Sequence, residues 1–210
     1  ANVRTLCSDD GGIFIDNKPP FILDVWLAIV FAVVLVAMFL PLGMVFLFSG
    51  MINRMSAAAA QTFFYAFAAA MGLSIAWIFA AFTGVSIAQT FLATAAGFAG
   101  LSLWGYTTKR DLSGMGSFLM MGLIGLIVAM LINLFIASSA LAFAISVIGI
   151  LIFSGLTAYD TQRIKNDYIM HAQAMDGEWL EKSAIMGALN LYLDFINLFM
   201  FLLSFLGNRE

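Results

Sequence analysis

Long apolar runs separated by short polar stretches make up most of this chain. No charged residue occurs between Asp24 and Arg54, between Arg54 and Lys109, or between Asp111 and Asp160. These intervals hold 29, 54 and 48 residues, whereas a helix needs about 20 residues to cross a bilayer. The intervals therefore predict one, two and two membrane crossings.

The last apolar stretch adds a sixth crossing. The two long intervals break at Thr83-Gly84 and at Ser138-Ser139, where small polar residues permit a tight turn. Helices are expected, because a span in lipid must satisfy its own backbone hydrogen bonds, whereas barrel strands are only about ten residues long and alternate in polarity. The six predicted spans are 25–49, 57–82, 86–106, 114–136, 140–158 and 183–206.

Composition agrees with this pattern, since 63% of the residues are hydrophobic, 10% are charged and the mean hydropathy is +1.02. These values are typical of an integral membrane protein. We therefore predict an all-α polytopic membrane protein, with a polar N-terminal segment over residues 1–24 and a single helical bundle over residues 25–207. The net charge of −3 is too small to indicate a nucleic-acid partner.

Residue types needed for several other functions are scarce. The single cysteine, Cys7, excludes an internal disulfide, and the single histidine, His171, excludes a multi-histidine metal site. The sequence has no phosphate-binding glycine loop and no metalloprotease motif, and one histidine in a polar connection cannot supply a Ser-His-Asp set. We expect no enzymatic activity and no resident cofactor.

Lysine and arginine are unevenly distributed between the two sides of the predicted bundle. The connections after spans one, three and five carry six of them, and the opposite side carries three. The positive-inside rule then places the odd-numbered connections in the cytoplasm.

The sixth span contains a single charge, Asp194, about eleven residues from either end. At roughly 1.5 Å per residue the carboxyl group lies about 16 Å deep, near the midplane of a bilayer. An isolated charge there costs at least ~2.5–3.5 kcal/mol, so the group needs a partner, a proton or water. Helical spacing puts further small or polar residues on its face, and this polar stripe comprises Ser183, Gly187, Asn190, Asp194, Asn197 and Ser204. The stripe predicts that the last helix faces the bundle interior.

Asp160 is expected at the end of the fifth span and has two interpretations. It can be a carboxylate at the membrane boundary, balanced by the basic residues that follow. Alternatively, it can belong to a site, because Arg54 ends the first span and four crossings separate Arg54 from Asp160. Both then lie at the cytoplasmic level, from which the helix of Asp194 also starts. Three ionisable groups can therefore meet in the cytoplasmic half of the bundle.

A meeting of Asp160 and Asp194 would constrain the chemistry. Two carboxylates in a low-dielectric site do not both ionise cheaply, so one would hold a proton. After loss of that proton, the pair would offer the hard oxygen ligands that Ca²⁺ prefers, for transient binding of Ca²⁺. Arg54 could pair with an ionised carboxylate, which would give a latch that depends on protonation.

Two segments resemble the Bax inhibitor-1 family, also called the transmembrane Bax inhibitor motif family. They are GLTAYDTQRIK at 155–165 and ALNLYLDFINLFMFLL at 188–203. INRMS at 52–56 and GYTTKRDLSGMG at 105–116 support the likeness, which extends from about residue 40 to the C-terminus. The chain looks most like the bacterial inner-membrane branch of this family.

The resemblance implies a helical bundle whose last helix is central. It also implies a pH-sensitive calcium leak channel, in which two aspartates sense protons and an arginine takes part in a latch. By position these residues are Asp160, Asp194 and Arg54. The family norm is seven spans, but residues 1–20 do not have the composition of a first helix, so six spans are expected here.

Three functions therefore follow as hypotheses. The first is a Ca²⁺ leak pathway in the lipid bilayer, gated by protonation of Asp160 and Asp194. The second is a non-transporting interaction protein, because bacterial relatives are associated with the membrane-bound protease FtsH and eukaryotic members modulate cell death. The third is an antiporter that exchanges Ca²⁺ for protons.

Overall fold

The computed structural model describes residues 5–7, 13–15 and 21–208. The polar segment predicted over residues 1–24 lies largely outside the described residues. Arg4, Lys18 and Arg209, the three basic residues assigned to the side opposite the odd-numbered connections, also lie outside them. The described parts of that segment are two short antiparallel strands, β1 (Thr5–Cys7) and β2 (Ile13–Ile15).

From residue 21 onward the described backbone is almost entirely helical. Its elements are α1 (Phe21–Met51), a 3₁₀ turn (Ile52–Arg54), α2 (Ala57–Ile75), α3 (Ile78–Ala81), α4 (Gly84–Thr107), α5 (Ser113–Ile136), α6 (Ser139–His171) and α7 (Gly177–Leu206).

Among the described residues, five helical stretches are long and apolar enough to cross a membrane. They cover residues 57–81, 84–107, 113–136, 139–171 and 177–206. The sixth predicted span corresponds to α1, a 31-residue helix with Pro41 inside it, of which Leu40–Met51 is an apolar helical stretch. The predicted all-α polytopic membrane fold is confirmed.

Both predicted turns are present, and hydroxyl side chains form them. Thr83 accepts a hydrogen bond from the backbone N–H of Ser86, and Ser138 accepts one from that of Leu141, each at 3.3 Å. These bonds satisfy backbone donors that the first turn of a helix leaves unpaired. Small polar residues at the breaks therefore act as N-caps of α4 and α6.

The predicted end of the fifth span at residue 158 is wrong. Helix α6 continues for 33 residues to His171, and the connection to α7 is only residues 172–176. The polar stretch 160–171 contains no glycine or proline, and the Thr161 hydroxyl donates to the Thr157 carbonyl at 2.7 Å inside the helix. Polarity here indicates contact with water and not the end of a helix.

The predicted start of the last span at Ser183 is also too late. Helix α7 begins at Gly177, because the Asp176 carboxylate accepts a hydrogen bond from the backbone N–H of Trp179 at 2.8 Å and caps the first turn. The predicted second span also contains a break, since residues 76–77 separate α2 from α3.

Helices α6 and α7 form the central pair of the described bundle. Helix α7 packs against α2, α4 and α6, while α6 packs against α4, α5 and α7. Helix α1 packs on α2. The last helix therefore has the inner position that the polar stripe predicts, and it shares this position with α6.

Glycines allow the inner helices to approach closely. A Cβ atom added at Gly105 of α4 would overlap the backbone carbonyl of Ala158 in α6. At Gly187 of α7 it would lie 2.7 Å from Ile164, and at Gly149 of α6 it would lie 2.7 Å from Phe201. Small residues of this kind let helices pack in lipid, where the hydrophobic effect does not drive them together.

A methyl group at Gly105 should therefore force α4 away from α6. We expect Gly105→Ala to lower the free energy of unfolding by about 1–3 kcal/mol, because its neighbour is backbone that cannot rotate away. Thermal unfolding of the protein in detergent measures the change. Gly100→Ala is the matched control, since the space around Gly100 is open and alanine favours a helix. Equal unfolding temperatures for the two variants would contradict this account.

Candidate functional site

The polar stripe of α7 faces other helices along most of its length. Asp194 is only 5% exposed, and Asn190 and Asn197 are half-buried. Asn197 donates its side-chain amide to the Leu193 carbonyl at 2.8 Å. Ser204, although exposed, accepts a hydrogen bond at 3.3 Å from the Ser146 hydroxyl of α6. The stripe thus belongs mainly to the α6–α7 side of the bundle.

Asp160 and Asp194 meet at this α6–α7 contact. Their carboxyl groups lie close enough to form a side-chain hydrogen bond. One oxygen of Asp194, Oδ2, is buried and accepts no bond from any donor group in the described part of the chain. Ionised carboxylates have only acceptors, so a hydrogen bond between the two groups needs one proton. With a proton on one of the two groups, the pair would therefore link the two central helices.

Arg54 is not part of this contact in the structure. It is exposed at the end of the 3₁₀ turn that follows α1. Among the described residues, no ion pair within 4.0 Å joins it to Asp160 or Asp194. Its role as a latch stays a prediction.

Arg163 is the arginine that acts on Asp160. It lies one helical turn further along α6, and its positive charge attracts the Asp160 carboxylate. On its other side, its Nε atom is 4.0 Å from Oδ2 of Asp167. From the sequence, Arg163 was interpreted only as one of the bases that balance the charge of Asp160. Its spacing of three residues from Asp160 indicates that the two side chains share a helix face.

Three cavities follow the polar stripe from one end of α7 to the other. The first cavity, of about 250 Å³, includes Asp167, Lys182 and Ser183. The central cleft, of about 610 Å³, includes Asp194. The far cleft, of about 550 Å³, includes Ser204.

Neighbouring cavities share their lining residues. Asp160, Arg163 and Asn190 line both the first cavity and the central cleft. Asn197 and Phe201 line both the central and the far cleft. From Ser183 to Ser204 a helix rises roughly 31 Å, which matches the hydrocarbon thickness of about 30 Å. The cavities therefore follow one another along α7 over a length close to the hydrocarbon thickness, and both carboxyl groups line the central cleft.

Gln162 holds the part of α6 that carries Asp160. Its Oε1 accepts a hydrogen bond from the Leu112 backbone N–H at 2.8 Å, and its Nε2 donates to the Arg110 carbonyl at 2.7 Å. Both partners lie in the α4–α5 connection, beside Asp111. Hydrogen bonds from the side chain and backbone of Ser113 hold the pKa of the exposed Asp111 carboxyl below its usual value.

The side chains around the pair offer few oxygen ligands for a cation. Within the described residues, no group of three or more His, Cys, Asp or Glu side chains could hold a metal ion. Asp160 and Asp194 offer two carboxyl groups, with the Asn190 and Asn197 amides nearby in the same cleft, whereas Ca²⁺ takes 6–8 oxygen ligands.

These features define a multi-pass membrane protein with a carboxyl pair between its two central helices. A family model described as "Inhibitor of apoptosis-promoting Bax1" matches residues 13–210. The chain belongs to the Bax inhibitor-1 family, and it is a multi-pass protein of the inner membrane.

Several curated proteins are similar to the chain over most of its length. "Inner membrane protein YbhL" of Escherichia coli K12 is 47% identical over 171 residues, which cover 80% of this chain and 72% of the relative. "Uncharacterized protein RP147" of Rickettsia prowazekii is 49% identical over 175 residues, with coverages of 83% and 73%. "Uncharacterized membrane protein SpyM3_0260" of Streptococcus pyogenes is 43% identical over 174 residues, with coverages of 83% and 74%.

Replacement of Gln162 by leucine should destabilise the bundle. Leu112 is 3% exposed, so its backbone N–H would lose its partner where little water can replace it. We expect Gln162→Leu to cost about 1–3 kcal/mol, measured by thermal unfolding in detergent. Gln61→Leu is the control, because Gln61 is exposed. A Gln162→Leu protein as stable as the control would show that this bridge does not support α6.

Proposed function

We propose that this protein is a leak pathway for Ca²⁺, opened and closed by the proton that Asp160 and Asp194 share. The observation that carries the proposal is the series of cavities along the polar stripe, with both carboxyl groups at the central cleft. A cation that crosses the bilayer needs polar groups at each depth in place of water. The polar stripe supplies such groups from Ser183 to Ser204.

The shared proton supplies the gate. In the protonated state the pair carries one charge at most, and its hydrogen bond ties α6 to α7. In the deprotonated state two negative charges face each other in a low-dielectric setting, which favours separation of the helices or entry of a divalent cation. Protons and Ca²⁺ therefore compete for the same oxygens, and a rise in pH favours Ca²⁺.

Arg54 has a conditional part in this scheme. Because it is exposed and unpaired with either aspartate in the described structure, it would act as a latch only after a rearrangement of the α1–α2 turn.

Exchange of Ca²⁺ for protons is the second candidate function, and proton sharing at the pair favours it. Addition of Ca²⁺ to vesicles with an imposed proton gradient distinguishes the two, since only exchange dissipates that gradient. Binding to the protease FtsH, the interaction alternative, would survive loss of both aspartates in co-purification.

Purified protein in liposomes should pass Ca²⁺ at a rate that rises with pH. Asp194→Asn and Asp160→Asn should each remove most of this pH dependence, because an amide cannot release the shared proton. A Ca²⁺-sensitive dye inside the liposomes reports the flux.

Glu181→Gln is the matched control, since Glu181 is an exposed acidic residue of the same helix and lines none of the three cavities. Flux that keeps its wild-type pH dependence in both aspartate variants would overturn the proposed gate. A wild-type flux that falls as pH rises would overturn the competition between protons and Ca²⁺.

A further inference from the structure

We propose that Arg163 is the charge-selectivity residue of this pathway, because its guanidinium stands at the junction between the first cavity and the central cleft. The inference rests on the proposed function and adds a specificity-determining residue to it. It concerns which ions reach the carboxyl pair, and not how the pair responds to protons.

Arg163 lies beside two of the three cavities. Arg163 is one of three residues that line both the first cavity and the central cleft, and the other two are Asp160 and Asn190. It is the only cationic side chain among these three. On the proposed pathway, the route from the first cavity to Asp194 therefore runs beside Arg163. A fixed positive charge beside such a route repels cations and attracts anions.

Two acidic residues flank Arg163 along α6. Asp160 lies three residues before it and Asp167 four residues after it, so both carboxylates share its helix face. The Asp167 contact is loose, with 4.0 Å between Nε and Oδ2 and 58% of the Arg163 side chain exposed. The guanidinium thus has two carboxylates on its own helix face, and among the described residues it forms no ion pair within 4.0 Å with Asp160.

The other charges at the first cavity are already paired or lie to one side. Lys182 lines the first cavity but not the central cleft, and its ammonium is 3.0 Å from a carboxylate oxygen of Glu178. The carboxylate of Glu178 therefore partly cancels the positive charge of Lys182 at the first cavity. Arg163 is left as the cation that bears on the passage itself.

A cysteine placed beyond Arg163 tests this without any need for Ca²⁺ transport. Asn197→Cys, in a Cys7→Ser background, puts a thiol in the central cleft on the far side of Asp194. Membrane vesicles with the expected cytoplasmic face outward are treated with a cationic and an anionic methanethiosulfonate reagent. The ratio of the two modification rates then reports the charge selectivity of the passage.

Arg163→Gln should raise the ratio of cationic to anionic modification by roughly three- to tenfold, the effect of one partly screened unit charge. Arg163→Lys keeps the charge and should leave the ratio within about twofold of the parent value. Lys109→Gln should do the same, because Lys109 is an exposed base on the same expected side that lines none of the three cavities.

Equal ratios in Arg163→Gln and Arg163→Lys would overturn the inference. Absence of modification by either reagent in Arg163→Gln would overturn it as well, since no passage would then lead past Arg163. In liposomes Arg163→Gln should raise the Ca²⁺ flux severalfold. If the wild-type protein carries no flux but the labelling ratio shifts as expected, the leak function fails while the role of Arg163 stands.

Discussion

A carboxyl group inside a bilayer must be neutralised, and the central part of this structure is arranged around that requirement. Asp194 lies near the middle of α7, where water is scarce and an unpaired charge is costly. The structure places a second carboxyl group, that of Asp160, beside it, and a proton shared by the two would meet this cost. This solution demands that α6 and α7 stay adjacent, because separation would leave an unpaired acid in each helix. The pair therefore couples helix packing to the protonation of one site.

The close packing of the same two helices has a separate origin in side-chain size. Gly187 and Gly149 leave room for Ile164 and Phe201 on opposite helices, so shape complementarity holds α6 against α7 on both sides of the carboxyl contact. Gly105 brings α4 against α6 in the same way. Packing thus fixes the position of the backbone, and the carboxyl pair adds an interaction that depends on protons. If the pair responds to pH as proposed, the glycine contacts would hold the backbone in place, because they are apolar and do not titrate.

Five of the six spans, the two capped turns and the inner position of α7 were predictable from the sequence, since each follows from apolar length, hydroxyl placement or helical spacing. The end of α6 was not, because a polar helix and a polar loop have similar composition, and only the lack of glycine and proline over 160–171 separates them. Asp160 and Asp194 were predicted as partners by counting crossings. Arg163 and Gln162 were missed as site residues, since their contacts depend on side-chain direction and on a loop some 50 residues away.

The length of α6 has a mechanical consequence. At roughly 1.5 Å per residue, its 33 residues form a rod of about 50 Å, well beyond the thickness of the hydrocarbon layer. The short connection over residues 172–176 joins the end of this rod to α7, so the two helices that carry the carboxyl groups form one stiff hairpin. A force or torque applied at the tip of the hairpin, in the water phase, would be transmitted along the two helices and would displace Asp160 and Asp194 relative to each other. The hairpin that carries the carboxyl pair therefore also extends into the water phase, where a partner could act on it.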